Sequence, residues 1–256
     1  MPNFISPAIV LRRIDYGDYD LILTFFTLKI GKISAIAKSA KKSTKRFGGI
    51  LELFSVLEVV CSSRMDRDLM ILQEADLINS FSGIRADLNK TAYASYFAEM
   101  VNEWTELGAK QEELYFLLCH VLKQIDTGCI SDEISGILFL IRFASIAGIR
   151  PNLLKCSICS LEIDKIKEER IIFDFSRSGI ICPKCAGGKS AGRLSLSKGT
   201  IKQLLWVENG GLIKAGKMKF TPLAIKEGLD LLEAFTAYHL GKEMQSLKFL
   251  KQIRKE

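Results

Sequence analysis

The sequence predicts an α+β protein: a small closed β-barrel over residues 1–80, then a mostly α-helical domain over 81–256. Three observations carry this. Five short runs of β-formers, separated by turn signals, fill the first eighty residues. Apolar residues at helical spacing dominate from residue 84 onward. Two Cys-x-x-Cys pairs, with a hairpin-like segment between them, interrupt the helices at about 154–188.

Within the barrel, Ala8-Ile9-Val10-Leu11 lies in a strand-like run from Ile5 to Ile14. Asp15-Tyr16-Gly17-Asp18 follows as a turn. Leu21 to Thr27 is rich in branched and aromatic residues and predicts a second strand. After Gly31, Lys32 to Ala37 alternates with the period of two that puts one strand face toward a core. Phe54 to Cys61 and Leu69 to Glu74 supply two more strands. Several small barrels share this strand count.

The helical part begins with Ile84 to Leu107, where Tyr93, Tyr96, Phe97, Met100, Val101 and Trp104 define one apolar face. These aromatics read as core. Glu112 to Ile125 predicts a second helix. Ser131, followed by Asp132-Glu133, caps a third that runs to Ala147-Gly148, and its run Ile137 to Ile141 implies burial on most sides. Ser197 starts another helix. Thr221-Pro222 starts the next, with proline where a helix has no use for its missing N–H. The tail Leu240 to Leu250 is amphipathic and basic.

Apolar residues make up 48% of the 256, which excludes a mostly disordered chain. There are 36 Lys plus Arg against 29 Asp plus Glu, a net charge of +7, which suggests an acidic partner. Only His120 and His239 exist, so chemistry built on a histidine cluster is excluded. The run Ile137 to Ile141 is too short to span a bilayer. Arg12 and Arg13 break the N-terminal apolar run, so no signal-peptide layout is present. A cytoplasmic protein without disulfides is expected.

The charge is unevenly spread. Residues 1–50 hold nine Lys/Arg against three Asp/Glu, and residues 156–256 hold eighteen against eleven, with a neutral to acidic middle between them. The densest segment is the loop after the third strand, where Lys38, Lys41, Lys42, Lys45 and Arg46 fall within nine residues and end at Phe47-Gly48-Gly49. Such cations replace the counterions of a phosphate backbone, and interleaved Ser and Thr hydroxyls donate to phosphate oxygens. The loop lacks the glycine-lysine pattern of a nucleotide-cradling P-loop. Arg12, Arg13 and Lys32, on the first and third strands, are further candidates for such phosphate contacts. Neighbours on a strand face opposite ways, so at most one of Arg12 and Arg13 shares the loop's face without twisting.

Cys156, Cys159, Cys182 and Cys185 have the spacing of a zinc site, because each pair can turn two sulfurs toward one cation. Four protein ligands leave no open position, so one structural zinc ion is expected. A single redox pair would not need the second. Cys61, Cys119 and Cys129 read as buried or half-buried thiols.

The chain resembles the RecO family of bacterial recombination mediators over essentially its whole length. The matching pieces are Ala8-Ile9-Val10-Leu11-Arg12, Tyr16-Gly17-Asp18-Tyr19-Asp20, Gly31 to Lys38, Ala92-Tyr93-Ala94-Ser95-Tyr96, the cysteine pairs, and the tail from Tyr238-His239-Leu240-Gly241-Lys242-Glu243 to Lys248-Phe249-Leu250. The resemblance implies an N-terminal OB-fold and a helical domain with a zinc knuckle. It implies binding of single- and double-stranded DNA, annealing of complementary strands, and action with RecR to help RecA replace single-strand-binding protein, in the cytoplasm and with the nucleoid. No ATP-dependent or other catalytic activity is implied. The family pattern has a glycine near position 39, where this chain has Ser39. The alternative is a metal-dependent enzyme acting on nucleic acid, for which Asp15, Asp18 and Asp20 are the tightest carboxylate group. They lie in a turn, where Asp is common for other reasons.

Overall fold

The structure, a computed structural model, describes residues 3–43, 45–64, 67–187, 192–212 and 219–254. Thr44 of the basic loop and Gly188 at the edge of the cysteine-rich segment lie outside the described residues. The chain forms two compact units. One comprises Met1–Thr127 with Met244–Glu256, and the other Gly128–Glu243.

In the first unit, β1 (Asn3–Tyr16), β2 (Asp20–Thr27), β3 (Gly31–Ala37), β4 (Val56–Arg64) and β5 (Arg67–Asn79) close into a barrel of order β1-β2-β3-β5-β4. All neighbours are antiparallel except β3 and β5. This is the topology of an OB-like barrel, as expected. Inside it lie Val10, Leu23, Phe25, Ala35, Leu57, Val59 and Leu72. A register shift between Val10 and Arg12 bends β1, which pairs with β4 along its first half and with β2 along its second.

The outer face of the barrel is also buried in places. Phe26 stacks on Tyr115 with ring centroids 6.0 Å apart. Tyr115 belongs to α3 (Glu112–Thr127), which follows the four-residue α1 (Ser82–Arg85) and α2 (Leu88–Trp104). The helix expected over 84–107 is thus split: Asp87 accepts the Lys90 N–H at 3.0 Å and caps a new start. Gly31 closes the turn between β2 and β3 at φ +74°, and a Cβ there would lie 1.9 Å from the Ala109 carbonyl oxygen. Only glycine permits that approach.

In the second unit, α4 (Asp132–Ile146) is buried from Ser135 to Ile141 on every side, as its apolar run implied. A small sheet of order β7-β6-β8 is made of β6 (Arg170–Asp174), β7 (Gly179–Ile181) and β8 (Arg193–Ser197). The sequence reading has the first two as a hairpin but no β8. Leu194 and Leu196 are too few to signal a strand, and β8 is held by pairing along the whole of β6. The short α5 (Pro183–Ala186), α6 (Lys198–Asn209) and α7 (Pro222–Leu240) complete the unit. Ser197 and Thr221 cap α6 and α7 as expected, accepting the N–H groups of Thr200 and Ala224. Of the remaining cysteines, Cys61 is buried and Cys119 half-buried, but Cys129 is exposed. No described helix is long and apolar enough to cross a membrane.

The last helix, α8 (Gln245–Ile253), returns to the first unit. Leu247 and Leu250 are buried there, while Lys248, Phe249 and Lys251 stay exposed.

Candidate nucleic-acid interface and metal centre

The basic loop is a plug with charged edges. Ala40, Phe47 and Leu51 join the barrel core, and Phe47 is only 2% exposed. Burying these three anchors the loop and drives Lys38, Lys41, Lys42, Lys45 and Arg46 outward, all of them exposed. The backbone is pinned as well. Asp20 accepts the Ser39 N–H at 2.8 Å, and the Ser39 carbonyl accepts from Lys42 and Ser43 at 3.1 Å each. Ser39 holds φ +55°, the left-handed region that favours glycine, so the serine sits where the family resemblance places glycine.

The cations are not free, as a loop without apolar periodicity would suggest. Lys41 pairs with Asp15 at 3.0 Å, and Lys38 with Asp20 at 4.0 Å. The Lys42 ammonium lies 3.4 Å from the centre of the Tyr19 ring. Arg46 donates to the Lys38 carbonyl at 2.7 Å. Lys45 makes no ion pair among the described residues. Asp15 and Asp20 therefore hold the loop against the β1–β2 turn. Exposed pairs of this kind contribute little, and a phosphate can replace the carboxylate.

Arg13 reaches Glu52 at 3.7 Å on the loop side of β1 and joins this cationic group. Arg12, one residue before, lines a separate cleft with Glu99 and Asn102 of α2. Lys32 is apart from both. Its ammonium donates to the Asn102 carbonyl at 2.6 Å and is half-buried, and burial lowers its pKa against the opposing pull of Glu103. The structure thus gathers six of the eight candidates. Two exposed aromatics stand beside them, Tyr16 at 55% and Tyr19 at 45%. The sequence reading has Tyr16 in a turn and both tyrosines in the family resemblance, and makes neither a DNA-binding candidate. Their signal was the alternation of aromatic and acidic residues through Tyr16-Gly17-Asp18-Tyr19-Asp20.

In the second unit, the four cysteines come together from two turns. In the first, the Cys156 carbonyl accepts the Ser160 N–H at 2.9 Å, with Ser160 at φ +59°. In the second, Cys182 precedes Pro183 at the start of α5, and its carbonyl accepts the Cys185 N–H at 2.9 Å. Strand β7 clamps the turns together through the Ser157 N–H, which donates to the Ile180 carbonyl at 2.8 Å. Gly179 is needed there, because a Cβ would lie 2.4 Å from the Ser157 hydroxyl oxygen.

All four sulfurs lie within 4.8 Å of one another, and those of Cys159 and Cys182 are 3.7 Å apart. A disulfide would need about 2.05 Å. A tetrahedron with metal–sulfur bonds of about 2.3 Å has edges of about 3.8 Å, so the cluster can hold a metal ion. Burial works against a Cys156 thiolate, but N–H donation from Cys159, Cys182 and Ile158 outweighs it, and its pKa falls below the ordinary thiol value. Cys156 and Cys182 are buried, Cys159 is exposed and Cys185 is intermediate.

The chain thus joins an OB-like barrel bearing a plugged cationic loop to a second unit that carries a four-cysteine cluster. Comparison with known families fits. Residues 1–81 match the model for the recombination protein O N terminal, and residues 85–248 that for its C terminal. The DNA repair protein RecO of Desulfatibacillum aliphaticivorans is 46% identical over 256 residues, covering 100% of this chain and 99% of that protein. The protein of the same name from Desulfosudis oleivorans is 46% identical over 259 residues, covering 99% of each. That of Syntrophus aciditrophicus is 35% identical over 254 residues, covering 98% of this chain and 96% of that protein. The chain belongs to the RecO family of DNA repair proteins.

Proposed function

We propose that this protein is a non-enzymatic recombination mediator. It binds single- and double-stranded DNA, anneals complementary strands and, with RecR, helps RecA onto DNA coated by single-strand-binding protein. It acts in the cytoplasm, on the nucleoid. The observation that carries the reading is the burial of Phe47 in the barrel core, which presents Lys38, Lys41, Lys42, Lys45 and Arg46 outward as one group with Arg13. Arg12 and Lys32 are secondary contacts. Residues 1–80 are the DNA-binding domain in this reading, and 81–256 the helical domain, with the zinc-binding insertion at about 154–188.

The mechanism is electrostatic. Two strands repel through their phosphates, and a cationic surface that neutralises both lets bases pair. No base-edge readout is required, so annealing is indifferent to sequence. Cys156, Cys159, Cys182 and Cys185 bind one zinc ion as thiolates. That ion organises the knuckle and has no open position for catalysis.

The test is a strand-annealing assay on oligonucleotides, bare and coated with single-strand-binding protein, with and without RecR. Faster annealing by this protein, without strand cleavage in Mg²⁺ or Mn²⁺, supports the reading. Absence of annealing, or metal-dependent cleavage by the pure protein, refutes it.

A further inference from the structure

A cleft of about 460 Å³ opens between the basic loop and the end of the barrel. Its floor is apolar: Leu21, Ala40, Phe47 and Leu51, all part of the barrel core cluster. Its rim carries Arg13, Lys41, Ser43 and Glu52, the last paired with Arg13. Gly48 and Gly49 form part of the wall, and nothing lies within 4 Å of where a Gly49 Cβ would project. Bare backbone there lets a flat group come close. The volume falls in the ~300–1,000 Å³ range of small-molecule sites.

We infer that this cleft accepts one unstacked base of a DNA single strand, with the adjoining phosphates on Lys41 and Arg13. This rests on the barrel being a DNA-binding surface, and adds that the strand is held by a base as well as by phosphates. The occupant follows from chemistry. An apolar floor under a cationic rim suits a group that is flat and weakly polar yet flanked by negative charge. A nucleotide in a single strand has that character, whereas a duplex keeps its bases stacked. The cations already at the rim are paired only with exposed or half-exposed partners, Asp15 for Lys41 at 3.0 Å and Glu52 for Arg13 at 3.7 Å. Phosphates can take over both. Leu, Ala and Phe give the floor no hydrogen-bond pattern, and the polar groups, Ser43 and Glu52 among them, stand at the rim, so the floor takes any base, in keeping with annealing of arbitrary sequences.

The experiment compares a short oligothymidylate with a strand of equal length built from abasic residues, which carries the same phosphates. The wild-type protein should bind the intact strand at least about fivefold more tightly. Ala40→Leu, which fills the cleft without removing a cation, should abolish that difference and leave the salt slope unchanged, while lowering the melting temperature because Ala40 packs on the barrel core. Equal binding of both strands by the wild-type protein, or a preference that survives Ala40→Leu, overturns the inference. Failure of either strand to bind at low salt instead refutes the DNA-binding reading beneath it. If Ala40→Leu does not fold, methyl NMR of the wild-type protein decides. Leu21 and Leu51 resonances should shift with the intact strand and not with the abasic one, and unmoved resonances overturn the inference.

Discussion

Glu99 caps a helix that begins 146 residues further along the chain. Its carboxylate accepts the backbone N–H groups of Gln245 at 3.1 Å and Ser246 at 2.8 Å, together with the Ser246 hydroxyl. Met244, in the N-cap position of α8, offers no side-chain acceptor, so Glu99 of α2 fills that role. This contact ties the basic tail to the barrel's unit, although the two are at opposite ends of the sequence. Glu99→Ala should destabilise α8 by about 1–2 kcal/mol, from the lost cap and the lost charge at the helix dipole. Hydrogen exchange across 245–253 should speed up, with exchange in β2 and β3 unchanged.

The cysteine cluster should contain one zinc ion per chain, measurable by elemental analysis of protein purified under reducing conditions. Metal binding is part of the folding free energy of a knuckle whose own core is small. Cys182→Ser should therefore lower the melting temperature of the second unit while leaving DNA affinity per folded molecule nearly unchanged. A zinc-free native protein, with no metal stripped during preparation, would disprove the assignment.

Salt dependence reports the loop. With about six phosphates contacted on a single strand, log affinity should fall against log salt with a slope of about −4. Neutralising Lys41, Lys42 and Lys45 to Gln should reduce that slope by about two units and slow annealing. Reversal to Glu is a poorer probe than the sequence suggests, because Lys41→Glu would set a carboxylate against Asp15. An unchanged slope in the triple variant would place the DNA path elsewhere.

Ser39 offers a stability test. Replacing a left-handed non-glycine residue with glycine removes roughly 1–2 kcal/mol of backbone cost, and the greater freedom of the unfolded chain returns ~0.4–1 kcal/mol of it. Ser39→Gly should raise stability by up to about 1.5 kcal/mol, and Ser39→Val should lower it. Urea denaturation of both variants checks the sign.

Acid should weaken the second unit in two stages. His239, 3.1 Å from the Ser178 hydroxyl, has its pKa lowered from the ordinary 6.5 by burial. The folded state thus resists protonation, and stability begins to fall as the pH drops below 6.5. Asp174 is held below the usual carboxylate value by the Ser176 hydrogen bonds, and Arg193 adds to this. Burial raises Glu227, but Thr200, Ser197 and Arg170 outweigh it and keep its pKa low. Their contribution is complete above the ordinary carboxylate values and is lost as the pH falls below about 4.5 through the depressed folded values. Urea titrations from pH 8 to pH 3, followed by Trp206 fluorescence in a Trp104→Phe background, should show both declines. His239→Gln should remove the first alone.

Local chemistry was legible in the sequence because its signals are short-range. Period-two alternation in Lys32 to Ala37 gave its strand away, as did the capping residues Ser131, Ser197 and Thr221 for their helices. The cysteine spacing named four residues that the fold brings within 4.8 Å. What the sequence could not show depends on contacts between residues far apart along the chain. Strand β8 exists because β6 pairs with it. The tail helix belongs with the barrel because Glu99 completes its first turn. Lys32 turns to the Asn102 carbonyl because α2 lies across the outside of the barrel. The basic loop shows the division most plainly: its charges are written in five residues, but their outward display follows from Phe47, which only the closed barrel could bury.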